Sequence, residues 1–100
     1  MSKTLDASVI DSGKSHLDAI EEYATQHGIF ANIVSEMIDC ICVLAACKEK
    51  RKEYFTGPYN EYLLEALDEI KAKIAYYIGE VPDNVKTHID GLRGIASKMI

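Results

Sequence analysis

The eight residues Cys40-Ile41-Cys42-Val43-Leu44-Ala45-Ala46-Cys47 constrain this chain more than any others. None carries a charge or a strongly polar group, and they sit inside a longer helical pattern. Over about two turns such a helix presents no polar face to water. It therefore has to be covered on every side. In a chain of 100 residues it is either the central helix of a bundle or a helix that lays part of its surface against another molecule.

The flanking sequence supplies cover. Leu17, Ile20 and Ala24 recur at helical spacing and Gly28 offers a stop. Ser15-x-x-Asp18 reads as a helix N-cap with an acid at N3. Leu5, Val9 and Gly13 carry the same spacing backwards, which leaves residues 4–27 as one helix or as two joined at Gly13. A second helix is expected from about Ile29 to Phe55, with a core stripe of Ile33, Met37, Ile41 and Leu44 widened by Val34, Ile38 and Ala45. Lys48, Lys50, Arg51 and Lys52 fall in its last turns, where they complement the helix dipole. Thr56-Gly57-Pro58 ends it and opens a third helix, with Pro58 near N1. There Leu63, Leu67, Ile70, Ile74 and Tyr77 step by four and three, a heptad seam. After the turn at Gly79-Glu80-Val81-Pro82-Asp83, a fourth helix carries Val85, Ile89, Leu92, Ile95 or Ala96, and Met99. Gly91 and Gly94 weaken it by about 1 kcal/mol each relative to Ala; they either admit a close helix contact or mark fraying.

Short connections favour antiparallel neighbours. The expected fold is all-α, a single helical domain over residues 1–100, built as a four-helix antiparallel bundle with one long central helix. At about 26 residues that helix is about 39 Å long, more than a chain of this size covers by itself. A homodimer, two-fold in the usual way, is the expected remedy. The dimer or core contacts then fall to Met37, Ile41, Leu44, Leu63, Leu67, Ile70 and Ile74.

Chemistry is sparse. His16 and His27 are three turns apart, too far to share a ligand, and His16, His27 and His88 read as surface residues. Cys40-x-Cys42-x4-Cys47 is not a zinc spacing, no charged activator lies within the run, and neighbours two apart point to different sides. The thiols read as reduced packing residues of a cytoplasmic protein. Glu36 and Asp39 sit beside the core stripe as polar boundary positions. No phosphate loop and no nucleophile elbow is present. The chain reads as non-enzymatic, with no catalytic residue, no metal site and no cofactor.

Net charge is −5, which disfavours direct nucleic-acid binding. The charge is uneven: residues 1–39 hold two lysines against seven carboxylates, and the rest balances. That acidic third, with Asp18, Glu21 and Glu22, is the part suited to a protein partner with a basic surface. Tyr54, Phe55, Tyr59 and Tyr62 cluster around the Thr56-Gly57-Pro58 turn, either as an interface hot spot or as the cap of the core. No secretory leader is expected from Met1-Ser2-Lys3-Thr4-Leu5-Asp6. Asn32, Ser35, Glu36 and Asp39 interrupt the window Ile29–Cys47 and argue against a membrane span.

The run Ser15-His16-Leu17-Asp18-Ala19-Ile20-Glu21-Glu22-Tyr23-Ala24, then Gly28-Ile29, Val34-Ser35 and Met37-Ile38, resembles the recognition segment of the late-transcription coactivators of T-even-type phages. The resemblance covers about residues 15–38, with Ser15, Leu17, Asp18, Ala19, Tyr23, Ile29 and Ile38 matching best in type. It implies a small acidic helical protein that binds the host RNA polymerase in the host cytoplasm. The family's acidic-hydrophobic clamp-binding tail has no counterpart in Ser97-Lys98-Met99-Ile100. The expected function is thus a protein-binding regulator of host machinery such as RNA polymerase or a defence complex. The alternative is a structural homo-oligomeric bundle without a separate partner.

Overall fold

The computed structural model describes residues 7–49 and 59–98, which are all-helical with no strand among them. Helix α1 spans Ala7–Gln26, α2 Phe30–Glu49, α3 Tyr59–Ile78 and α4 Asp83–Ala96. The expectations placed on Lys50, Arg51, Lys52, Tyr54, Phe55, the Thr56-Gly57-Pro58 turn and Met99 lie outside the described residues.

Within those residues α1 is one helix, and Ser15 lies in its interior rather than at a cap. Gly13 does not break it. A Cβ there would stand 3.1 Å from Cδ1 of Leu44 and 3.3 Å from Cδ1 of Ile95, so the bare backbone lets α2 and α4 side chains close on α1. The helix ends in a Schellman turn. The Ile29 amide donates to the Ala24 carbonyl (2.9 Å) and the Gly28 amide to the Thr25 carbonyl (3.2 Å), with Gly28 at φ 71°. Ala24 and Ile29 are both buried, the apolar contact that accompanies this motif.

Each helix packs on two others: α1 on α2 and α4, and α3 on α2 and α4. The core they enclose includes Ile10, Leu17 and Ile20 of α1, Ile33 and Leu44 of α2, Leu63, Leu67, Ile70 and Ile74 of α3, and Ile89 and Leu92 of α4. The α3 seam shifts by one residue at its end: Tyr77 is half-exposed, and Ile78 packs against the core in its place. In α4 both Ile95 and Ala96 are buried. Its start rests on Pro82, whose carbonyl accepts from the amides of Val85 (3.0 Å) and Lys86 (2.9 Å), with Asp83 in the first turn to suit the dipole.

Candidate interaction surface

The apolar helix α2 is not covered on every side. It carries two seams of the same heptad spacing. The buried one runs Ile33, Met37, Cys40, Leu44, Cys47, joined by Val43. The other runs Val34, Ile38, Ile41, Ala45. Ile38 is 52% exposed and Ile41 46%, Val34 and Ala45 are half-buried, and the exposed Cys42 lies alongside. Ile41 is therefore not a core residue, and Ile38 does not widen the core. Cys40 occupies the place expected of Ile41. Met37, Leu44, Leu63, Leu67, Ile70 and Ile74 are buried as expected.

The charged residues of the described part of α2 lie toward α3. Glu36 faces α3, where its Oε2 accepts from Lys73 Nζ at 3.0 Å, and Asp39 lines the same α2–α3 cleft. With both carboxylates turned to α3, the outer face from Phe30 to Ala45 is left without a charged residue. By length and composition the window Phe30–Cys47 could cross a membrane (mean hydropathy 1.8), yet 39% of it is buried by the other helices. The four interrupting residues thus do not bring the window below the apolarity of a span.

Acids border the outer seam on both flanks. Lys14, Leu17, Asp18 and Glu21 of α1 form a shallow groove with Met37 and Ile41. On the other flank the α2–α3 cleft is lined by Asp39, Tyr62, Glu65 and Glu69. Glu36 sits at its floor. Burial pushes its carboxyl up, but hydrogen bonding and the charge of Lys73 outweigh that and hold it below the usual carboxylate value. Its Oε1 is buried without a hydrogen-bond partner. Burial, with the nearby Asp39 and Glu36 charges, pushes the Cys40 thiol up to about 12. Burial raises Cys47 as well. Among the described residues no three His, Cys, Asp or Glu side chains are grouped so as to hold a metal ion.

Two histidines read as surface residues meet instead. His16 Nδ1 lies 2.9 Å from His88 Nδ1, half-buried between α1 and α4. One nitrogen must donate and the other accept, so the contact tolerates at most one imidazolium. Burial, then the charge of His88, lowers the His16 pKa. The His16 ring lies over Gly91, where a Cβ would come within 2.5 Å of Nε2. The sequence holds one trace of this pairing: Gly91 follows His88 by three residues, on the same helix face. His27 lies past α1, exposed, stacked on Tyr23 with ring centroids 4.1 Å apart. Its Nδ1 donates to the Tyr23 carbonyl at 2.9 Å.

Of the residues expected to meet a partner, Asp18, Glu21 and Glu22 are exposed on α1. Tyr59 packs against the core. Tyr62 is 40% exposed in the α2–α3 cleft, and Tyr54 and Phe55 lie outside the described residues. Asp18 and Glu21 adjoin the outer seam, whereas Tyr62 lies on the opposite flank. No protein-family model, no curated protein and no solved structure matches this chain.

Proposed function

We propose that this chain is a non-enzymatic protein-interaction module, an antiparallel four-helix bundle that presents the outer seam of α2 to another protein. The observation behind this reading is the half-exposure of Ile38 and Ile41 on a helix face without charge. A solvated helix face ordinarily carries polar residues, and a contiguous apolar strip with a polar rim is the usual form of a binding surface. The antiparallel arrangement is supported by pairs that run in opposite order along neighbouring helices. Glu36 meets Lys73 while Val43 and Ala66 line the cleft further along. His16 meets His88 while Gly13 meets Ile95.

In this reading Asp18 and Glu21 beside the seam attract a basic partner surface, and Ile38 and Ile41 supply the short-range energy. The segment that resembles phage transcription coactivators spans the end of α1 and the start of α2 and includes Ile38. It makes bacterial core RNA polymerase the first heterologous partner to try, with action in the host cytoplasm. The test compares the wild-type chain with Ile38→Lys/Ile41→Lys. Each is immobilised and challenged with purified core polymerase and with untagged copies of the chain. Binding by the wild type that the variant loses is the expected result. Equal binding by both would remove the outer seam from the function.

A further inference from the structure

We infer that the outer seam of α2 receives an amphipathic helix of a partner protein whose apolar stripe is flanked on both sides by arginine or lysine. The inference rests on the reading of this face as the interaction surface, and it names the chemistry of the occupant. The seam is a ridge between two hollows. On the α1 side Ile41 lines the groove that holds Asp18 and Glu21. On the α3 side Cys42, one turn after Ile38, lines the cleft that holds Asp39, Glu65 and Glu69. All five acids are exposed, and among the described residues none of them is in a salt bridge. Of the residues lining the two hollows Lys14 alone is cationic, and Lys73 is engaged with Glu36.

An apolar strip between two acidic rims is complementary to an apolar stripe between two basic ones. The same rims decide against other occupants. A second copy would bring the same carboxylates onto them, and an anionic bilayer its headgroups, like charge on like in both cases. Among the described residues no three acids are grouped so as to share a metal ion, so the cations have to be spread along a chain. Helical form follows from the backbone. The amides and carbonyls of α2 are bonded within that helix, so an extended segment laid on the seam would bury its own unpaired. A helix satisfies them internally. Val34 and Ala45 are 11 residues apart, about 17 Å of helix, so about three turns of a partner fit. The cleft on the α3 side encloses about 370 Å³ and the groove on the α1 side about 170 Å³, which gives the longer basic side chains to the α3 side.

Three helical peptides of about five turns test this by fluorescence anisotropy with the full chain. They share one leucine stripe and carry arginine, glutamine or glutamate on both of its flanks. The arginine peptide should bind most tightly and lose affinity as salt is added. Equal binding of the arginine and glutamate peptides, or arginine-peptide binding that salt leaves unchanged, overturns the inference. Glu65→Gln/Glu69→Gln should weaken the arginine peptide about 2- to 30-fold, one exposed ion pair being lost per carboxylate. Glu80→Gln/Asp90→Asn removes the same charge at the start of and on α4, which does not pack on α2, and should change affinity by less than about twofold. Equal weakening by the two pairs would reduce the attraction to net charge and overturn the inference. Ile38→Gln/Ile41→Gln removes apolar surface without changing charge; it should abolish binding and keep the helical circular dichroism. Binding that survives it takes the seam out of the function, and the interaction-module reading falls as well. If no peptide binds while core polymerase still binds through Ile38 and Ile41, the module reading stands and the basic helix falls. Self-association, or flotation with phosphatidylcholine vesicles, that the same variant abolishes would give the face to a second copy or to lipid and overturn the inference.

Discussion

Substituting Gly91 and Gly94 separately measures how closely α1 and α4 approach. The two glycines share one helix and differ in surroundings. A Cβ at Gly91 would lie 2.5, 2.7 and 2.9 Å from Nε2, Cε1 and Cδ2 of His16, whereas a Cβ at Gly94 meets nothing within 4 Å. Ala gains about 1 kcal/mol over Gly inside a helix. Gly94→Ala should therefore stabilise by up to about 1 kcal/mol, a rise in Tm of about 4–8 °C for a domain of this size. At Gly91 the same gain is opposed by overpacking worth about 1–3 kcal/mol, because His16 must leave its contact with His88 to make room. The net effect runs from neutral to about 2 kcal/mol destabilising. Urea and thermal unfolding of both variants decide the sign. A third chain, Gly91→Ala with His16→Ala, isolates the cause: with the ring gone, Gly91→Ala should stabilise as Gly94→Ala does. Equal stabilisation by Gly91→Ala and Gly94→Ala in the His16 background would refute the close approach.

Three further outcomes follow from named contacts. Because His16 titrates below its ordinary value of 6.5, the unfolded chain takes up its proton first as pH falls. Stability is full above about pH 6.5 and declines below it, and His16→Asn should flatten that slope; identical profiles for both chains would count against the pair. A water-soluble maleimide should modify Cys42 in the native protein but reach Cys40 and Cys47 only on unfolding, since these two are buried and their thiolates disfavoured; peptide mapping after a short pulse reads this directly. Lys73→Met strands the mostly buried Glu36 carboxylate and should cost about 1–2 kcal/mol, less than a fully buried pair because Lys73 is about a third exposed. Adding Glu36→Leu should recover most of that loss, and a double variant no more stable than Lys73→Met would show that the pair is not coupled.

The helices and most of the core were legible because their apolar residues recur at helical spacing, and Gly28 announced its turn through the one residue suited to φ 71°. The orientation of α2 was not. A helix with two interleaved heptad seams offers two equally good core faces, and Ile33, Met37, Ile41, Leu44 mixes one with the other. The mark that separates them lies on another helix: Glu36 pairs with Lys73 of α3, and Ile41 faces outward. The His16–His88 contact was hidden for a similar reason, since it joins residues 72 apart and only the neighbouring Gly91 hints at it. Gly13 fitted either a continuous helix or a joint, and it is a packing site inside one helix, where its bare backbone admits Leu44 and Ile95. The acidic side of α1 was visible as composition, but its place beside the α2 seam needed the fold.

The outer seam of α2, with Ile38 and Ile41 half-exposed, should be surplus to the fold of one chain. Denaturant unfolding of Ile38→Lys/Ile41→Lys against the wild type, repeated over a range of protein concentrations, tests that most directly. Lysine keeps helix propensity, and both isoleucines are about half-exposed. At the lowest concentrations the two chains should agree within about 1 kcal/mol, the range of surface substitutions outside the core. A loss of 2–5 kcal/mol in the variant at every concentration, the range for truncating a buried isoleucine, would place Ile38 and Ile41 in the core and contradict the account.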